Sequence, residues 1–251
     1  MRKTKEGSQM MTHIVGNHSV NRGRIALFFC ISFLMLGLVC PSAHGGGTKR
    51  IQCVGDSITR GAGVKDRKTD SYPAQLSTIL GKDWNVKLYN AGVNGATMLK
   101  KGNNPFWNTG LIKNKKPSNV DIFLIMLGTN DSKPENWKHK DEFASDYEEM
   151  IKVLHEISKK AKIYAVLPPP AFPGQWGIRD KVIKDEIIPL IQEVAEKTGV
   201  EVIDAYTPLS GKPNLFPDTV HPNAEGARLL AETVANALLN KKKEQAVAPN
   251  R

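Results

Sequence analysis

The sequence predicts an α/β fold in which a parallel sheet of five strands is covered by helices on both faces. From residue 50 onward, short apolar runs alternate with longer amphipathic stretches, as repeated strand–helix units require. The third run is continuously apolar after its first residue, which is typical of a strand buried on both faces. Residues able to do chemistry follow the runs rather than precede them, as they do at the ligand-binding edge of a doubly wound sheet.

Five apolar runs of four to seven residues are the predicted strands. They are IQCV (51–54), VKLYN (86–90), DIFLIML (121–127), KIYAVL (162–167) and VEVID (200–204). Parallel neighbours need a crossover connection, which is usually helical and right-handed. The sequence therefore predicts a single sheet with helices above and below it.

Three stretches carry apolar residues at intervals of three and four, the spacing of an amphipathic helix. They cover residues 141–160, 180–198 and 223–240, and Gly199 follows the second as a predicted C-cap. The first helix presents Phe143, Tyr147 and Leu154 on one side. These helices are the predicted outer layers of the fold.

The first 45 residues are predicted to be a signal peptide rather than part of the fold. Basic residues precede an uncharged apolar run at 25–40, and Ala43-His44-Gly45 provides a small-x-small cleavage site. An uncleaved membrane anchor is the alternative, although 16 apolar residues are fewer than the roughly 20 that span a bilayer. We therefore expect an exported protein, periplasmic or secreted, without stable membrane insertion once the signal is removed. Residues 50–240 are the predicted domain, and 241–251 a basic disordered tail.

The net charge of +10 does not indicate nucleic-acid binding. Residues 1–50 contribute +6 of it and residues 241–251 contribute +3, so the body of the chain carries only +1. Removal of the signal peptide would leave Cys53 as the single cysteine, which cannot form an internal disulfide. No cysteine–histidine cluster has the spacing of a metal site, so we expect no structural zinc site.

Three polar residue types at the ends of the predicted strands suit acyl transfer to a serine. Ser57 follows the first strand, and Asp218 and His221 lie three residues apart, so that one turn of chain can present the carboxylate to the imidazole. The backbone N–H groups of Ser57 and Gly95 and the side chain of Asn130 are candidate oxyanion donors. Each feature alone has an ordinary explanation, since a serine after a strand is more often a helix cap.

These blocks together resemble the GDSL, or SGNH, hydrolase superfamily. The resemblance rests on GDS (55–57), NAGVNGAT (90–97), GTND (128–131) and DTVHP (218–222), and it extends over residues 50–240. It implies a flavodoxin-like three-layer α/β/α sandwich, a serine esterase that forms an acyl-enzyme, and no metal or organic cofactor. Ser57 would be the nucleophile, Asp218 and His221 the acid and base, and Ser57, Gly95 and Asn130 the oxyanion hole.

Two other carboxylates are weighed against this assignment. Asp204, at the end of the fifth strand, is a rival for the acid, but the family pattern places the acid three residues before the histidine. Asp56 and Asp131 are expected to organise their own turns. Thr59 stands where a Gly-x-Ser-x-Gly elbow has its second glycine, which argues against the α/β-hydrolase fold.

The predicted substrate is an acylated small molecule or glycan. Trp107, Trp137 and Trp176 fall in loops after strands, where flat rings beside polar donors suit a sugar face. Stretches such as GTNDSKPENW and FPDTVHPNAEGA resemble sialate O-acetylesterase-like and other carbohydrate acetylesterases, so we expect removal of acetyl groups from a glycan. The alternatives are a lysophospholipase or thioesterase with a longer acyl substrate, and a non-catalytic carbohydrate-binding module.

Overall fold

A computed structural model describes residues 47–116, 118–174 and 176–247 of the chain, with side chains up to residue 240. The predicted signal peptide lies outside these residues. Five parallel strands form one sheet in the order β2-β1-β3-β4-β5. They are β1 (Lys49–Gly55), β2 (Val86–Gly92), β3 (Ile122–Met126), β4 (Lys162–Val166) and β5 (Glu201–Ile203).

The α-helices of the described residues connect these strands or follow the last one. They are α1 (Ser57–Arg60), α2 (Arg67–Asp70), α3 (Tyr72–Leu80), α4 (Gly110–Asn114), α5 (Pro134–Trp137), α6 (Phe143–Ile157), α7 (Asp180–Val182), α8 (Ile188–Thr198) and α9 (Ala224–Val247). A π-helical turn, Ile183–Ile187, joins α7 to α8, so the stretch from residue 180 to 198 is continuously helical.

The sheet is the middle of three layers. Along β3, Phe123 and Ile125 pack on the side of α6 and α8, whereas Leu124 packs on the side of α3 and α9. All five residues of β3 are buried, because a central strand has a helical layer against each face. The predicted flavodoxin-like α/β/α sandwich with a five-stranded parallel sheet is confirmed.

The strand order fixes where a ligand would bind. In the order 2-1-3-4-5 the chain moves outward in one direction from β1 to β2 and in the other from β3 onward. The loops after β1 and β3 therefore diverge, and a crevice opens at this switch point. Gly55 pairs with Met126 at the carboxyl ends of these two strands, so the residues that follow them share one edge of the sheet.

Two features differ from the sequence-based expectation. The sequence predicts a disordered tail from residue 241, whereas α9 continues to Val247. Lys, Glu, Gln and Ala are good helix formers, and extending an existing helix carries no nucleation cost. The helix α3 was not predicted, although Ser71 caps it through Ala74 N–H and Pro73 occupies its first turn.

None of the described helices combines the length and the apolar composition needed to cross a membrane. In the same part of the chain, no group of three or more His, Cys, Asp or Glu side chains is arranged to hold a metal ion.

Candidate active site

Ser57 begins the short helix α1 immediately beyond the end of β1. Asp56, and not Ser57, caps this helix: its Oδ1 accepts a hydrogen bond from Ile58 N–H at 2.9 Å. The serine hydroxyl is thus not needed as a cap and is available to the crevice. A Cβ on Gly55 would lie 2.8 Å from the carbonyl oxygen of Met126, so the approach of β1 to β3 just before Ser57 requires glycine.

Ser57, His221 and Asp218 form a continuous chain of hydrogen bonds. Ser57 Oγ lies 2.8 Å from His221 Nε2, and His221 Nδ1 lies 2.7 Å from Asp218 Oδ2. The other oxygen of Asp218 accepts from the N–H groups of Val220 and His221 at 3.1 and 2.7 Å. The three-residue spacing therefore lets one carboxylate hold both the imidazole and the backbone that carries it.

The electrostatics of Asp218 favour its ionised form. Burial raises the pKa of this carboxyl, but hydrogen bonds from the His221 ring and from the N–H groups of His221 and Val220 outweigh burial. The pKa of Asp218 consequently lies below its ordinary value. An ionised Asp218 accepts a hydrogen bond from the protonated Nδ1 of His221. The Nε2 atom of the ring is then unprotonated and can accept the proton of Ser57.

The loop after β4 holds the Asp218–His221 turn in place. Phe172 N–H donates to the carbonyl oxygen of Thr219 at 2.8 Å, and Trp176 Nε1 donates to the carbonyl oxygen of Asp218 at 3.1 Å. The Trp176 ring also meets the His221 ring edge to face, with centroids 5.6 Å apart. Thr219 has a φ of 75°, a conformation that a β-branched residue adopts only under external constraint, and these contacts supply the constraint.

Asn130 and Gly95, the predicted oxyanion donors, both line the same cavity as Ser57. Asn130 Nδ2 donates to the carbonyl oxygen of Ala96 at 3.1 Å, and Asp56 Oδ2 is 3.5 Å away. Gly95 has a φ of 71°, which glycine adopts without strain. The first contact joins the turn after β3 to the loop after β2, which brings the Asn130 amide next to Gly95.

Two buried carboxylates adjoin residues of the site in the chain: Asp56 precedes Ser57, and Asp131 follows Asn130. Burial raises the pKa of Asp56 to about 6 and that of Asp131 to about 7, although both accept backbone hydrogen bonds that act in the opposite direction. Asp56 organises its own turn, as the sequence predicts. Asp131 does not: its oxygens accept from the N–H groups of Met98 and Leu99 at 2.9 and 2.8 Å and so join two loops.

A cavity of about 250 Å³ opens over the hydrogen-bonded chain. It is lined by six of the residues that the sequence singles out, namely Ser57, Gly95, Asn130, Trp176, Asp218 and His221. Asn94, Lys133 and Ile178 also line it and were not anticipated. Asn94 directly precedes Gly95, and Lys133 follows Asn130 by three residues. Their closeness in the chain to these motifs is the one sequence feature that could have indicated a place in the cavity.

The structure does not bring the other two tryptophans to this cavity. Trp137 is buried, packs against Phe143 and donates from Nε1 to Glu186 at 2.8 Å. Trp107 donates to the carbonyl oxygen of Met98 at 2.7 Å, with the Lys100 ammonium over its ring. Both anchor loops on the core, because an indole that packs its ring on apolar neighbours still needs an acceptor for its N–H. A substrate contact is therefore supported for Trp176 alone.

Asp204, the rival acid, lies outside the cavity lining. Its Oδ1 accepts from the N–H groups of Tyr206 and Thr207, each at 2.9 Å, at the start of the 3₁₀ turn that follows β5. Asp218 is the carboxylate that meets His221.

Gly63 packs closely against the backbone of His221 and Pro222, and a larger residue at this position should lower the activity. A Cβ at residue 63 would lie 2.9 Å from both the carbonyl carbon and the Cβ of His221, and closer still to the carbonyl oxygen of Pro222. Because backbone atoms cannot move aside as a flexible side chain can, Gly63→Ala should displace the imidazole and lower kcat/KM on p-nitrophenyl acetate about 10- to 100-fold.

Gly110→Ala is the matched control for this substitution. Its Cβ would meet only the end of the Asn114 side chain, at 3.4 Å. Full activity of Gly63→Ala in a folded protein would show that the close contact does not position His221.

Comparisons with known proteins show similarity in sequence and in fold. Residues 53–229 match the model of the GDSL-like lipase/acylhydrolase family. An acetylxylan esterase of Xylanibacter ruminicola is 43% identical over 207 residues, which cover 75% of this chain and 43% of the relative. The chain thus aligns with less than half the length of that enzyme.

Solved structures share the fold at lower identity. A carbohydrate acetylesterase from Sinorhizobium meliloti superposes with a TM-score of 0.64 at 20% identity, covering 76% of this chain and 99% of its own. An aryl esterase of M. smegmatis does so with a TM-score of 0.65 at 19% identity and the same coverage. The match over residues 53–229 decides the assignment, and the chain belongs to the GDSL-like lipase/acylhydrolase family.

Proposed function

We propose that this protein is an exported serine O-acetylesterase that removes acetyl groups from carbohydrate through an acyl-enzyme. The observation that carries the catalytic part is the Ser57–His221–Asp218 chain, with contacts of 2.8 and 2.7 Å, at the floor of a small cavity. Export rests on the sequence of the first 45 residues, which has the pattern of a signal peptide.

The chemistry follows from the positions of these groups. Ser57 Oγ attacks the carbonyl carbon of the ester while His221 Nε2 takes its proton. The oxyanion that forms accepts hydrogen bonds from Ser57 N–H, Gly95 N–H and the Asn130 amide, each of which contributes on the order of 3 kcal/mol in the transition state.

The second half of the reaction returns the enzyme to its starting state. His221 gives its proton to the leaving alcohol oxygen, and acetyl-Ser57 remains. His221 then takes a proton from water as the water oxygen attacks the acyl carbon. The bond to Ser57 Oγ breaks, that oxygen recovers a proton from His221, and acetate leaves.

Three observations support a short acyl group on a sugar. The cavity of about 250 Å³ lies at the small end of ligand sites, which leaves little room for a long acyl chain. Trp176 lines the cavity and is 50% exposed, while its N–H donates to the carbonyl oxygen of Asp218. The ring is therefore fixed in place, and its exposed part can contact a sugar. The 43% identical relative is an acetylxylan esterase.

The test is acetate release across acetylated xylan, acetylated pectin and O-acetylated sialosides, with lysophospholipid as the competing substrate. We expect acetate from at least one glycan, and p-nitrophenyl acetate should be hydrolysed about tenfold faster than the octanoate, since the longer chain must share a cavity of about 250 Å³ with the alcohol part of the ester. Cleavage of lysophospholipid without acetate release from any glycan would contradict the carbohydrate assignment and favour the lysophospholipase alternative.

A further inference from the structure

The cavity contains a cation that the ester chemistry does not require. Three of its lining residues can carry charge: Asp218, His221 and Lys133. Asp218 and His221 are paired with each other at 2.7 Å. Lys133 has no carboxylate within 4.0 Å of its ammonium among the residues whose side chains the structure describes.

The backbone of Lys133 belongs to the same turn as the candidate oxyanion donor. Lys133 N–H donates to the carbonyl oxygen of Asn130 at 3.3 Å and closes the 3₁₀ turn Asn130–Ser132. The loop after β4 braces this turn, since Arg179 N–H donates to Ser132 Oγ at 3.0 Å and Arg179 Nε to the Ser132 carbonyl oxygen at 2.5 Å. Lys133 therefore projects from a fixed base beside the position at which the ester would react.

Two other lysines near the site already have carboxylate partners. Lys140 pairs with Glu186 at 3.2 Å, and Lys100 pairs with Glu149 and lies over the ring of Trp107. Lys133 differs from these lysines: it is half-buried at a ligand cavity and has no carboxylate partner among the described side chains, so its positive charge is available to a bound ligand.

We propose that Lys133 binds a carboxylate of the substrate, so that the preferred substrate is an acetylated acidic sugar, such as a uronate residue, rather than a neutral one. This inference rests on the proposed O-acetylesterase function and specifies its substrate class. The ammonium forms a charge-assisted hydrogen bond with the sugar carboxylate, while the ester of the same or the adjacent residue reaches Ser57. Lys133 thus determines specificity and takes no part in proton transfer.

The experiment compares acetate release from acetylated oligogalacturonate and from acetylated neutral xylo-oligosaccharide by the wild type, Lys133→Met and Lys133→Arg. We expect Lys133→Met to lower the ratio of kcat/KM for the acidic over the neutral substrate about five- to tenfold, mainly through KM. Lys133→Arg should restore most of the ratio. Raising the salt concentration should lower the wild-type ratio, because salt screens a partly exposed charge.

Lys138→Met is the matched control, since Lys138 is exposed on the following turn and does not line the cavity. It removes the same net charge and should leave both kcat/KM values unchanged. An equal loss on both substrates with Lys133→Met would mean that Lys133 stabilises the oxyanion instead, and an unchanged ratio would show that it binds no carboxylate. If the wild type releases acetate neither from these two sugars nor from O-acetylated sialosides, the proposed function itself fails, and this inference fails with it.

Discussion

Ser57→Ala should abolish hydrolysis of p-nitrophenyl acetate, with kcat falling by about 10⁴-fold or more. The substitution removes the hydroxyl oxygen that lies 2.8 Å from His221 Nε2, so the side chain of residue 57 can no longer give a proton to the base and attack the ester. Binding and the oxyanion donors would survive, and they account for the small residual rate expected.

The fold of this variant should be intact, which makes the loss of activity interpretable. Asp56 caps α1, so alanine at residue 57 removes no helix cap. Circular dichroism and thermal unfolding should match the wild type. Ser77→Ala, in the interior of α3, is the matched control and should keep full activity. Turnover by Ser57→Ala within tenfold of the wild type would contradict the proposed mechanism.

The layered fold was predictable because buried parallel strands have a distinctive local pattern. β3 is apolar at every position, and the helices around it show the three-and-four spacing along one face. The nine-residue helix α3 was missed because few turns give little periodicity, although Ser71 and Pro73 were available as start signals. The helical continuation past residue 240 is not evident from the sequence, because a run of lysines is equally typical of a solvated tail.

The site was predictable to the extent that the sheet gathers the carboxyl ends of its strands at one edge. That rule places Ser57, Gly95 and Asn130 together without knowledge of any side-chain direction. It says nothing about orientation within a loop, so Trp107 and Trp137, which point into the core, were indistinguishable from Trp176 in the sequence.

Contacts between loops also escaped the sequence. Asp131 bonds to residues 32 and 33 positions away, and Trp176 bonds to a carbonyl 42 positions away. A local sequence pattern cannot predict hydrogen bonds between residues so far apart in the chain, because each partner lies in an ordinary turn sequence. The bracing of the Asp218–His221 turn by the loop after β4 is for this reason a finding of the structure alone.

Asp218→Asn should lower kcat/KM on p-nitrophenyl acetate by about 10⁴-fold while the turn keeps its shape. Asparagine can retain the Oδ1 contacts with the N–H groups of Val220 and His221, but its amide nitrogen then replaces the oxygen that lies 2.7 Å from His221 Nδ1. Two N–H groups cannot face each other. Nδ1 must therefore become the acceptor, and the ring proton moves to Nε2, where it blocks proton transfer from Ser57.

Asp204→Asn is the matched control, because it removes the rival carboxylate with the same chemical change. Asparagine caps a turn about as well as aspartate, so Tyr206 and Thr207 keep their acceptor, and full activity is expected.

The pKa of Asp218 lies below its ordinary value, so the wild-type carboxylate stays ionised at any pH where neutral His221 acts as the base. Raising the pH should consequently fail to rescue Asp218→Asn up to about pH 8, since the defect is the position of a proton on a neutral ring. Activity of Asp218→Asn within tenfold of the wild type, with Asp204→Asn inactive, would assign the acid to Asp204 and overturn the geometry-based mechanism.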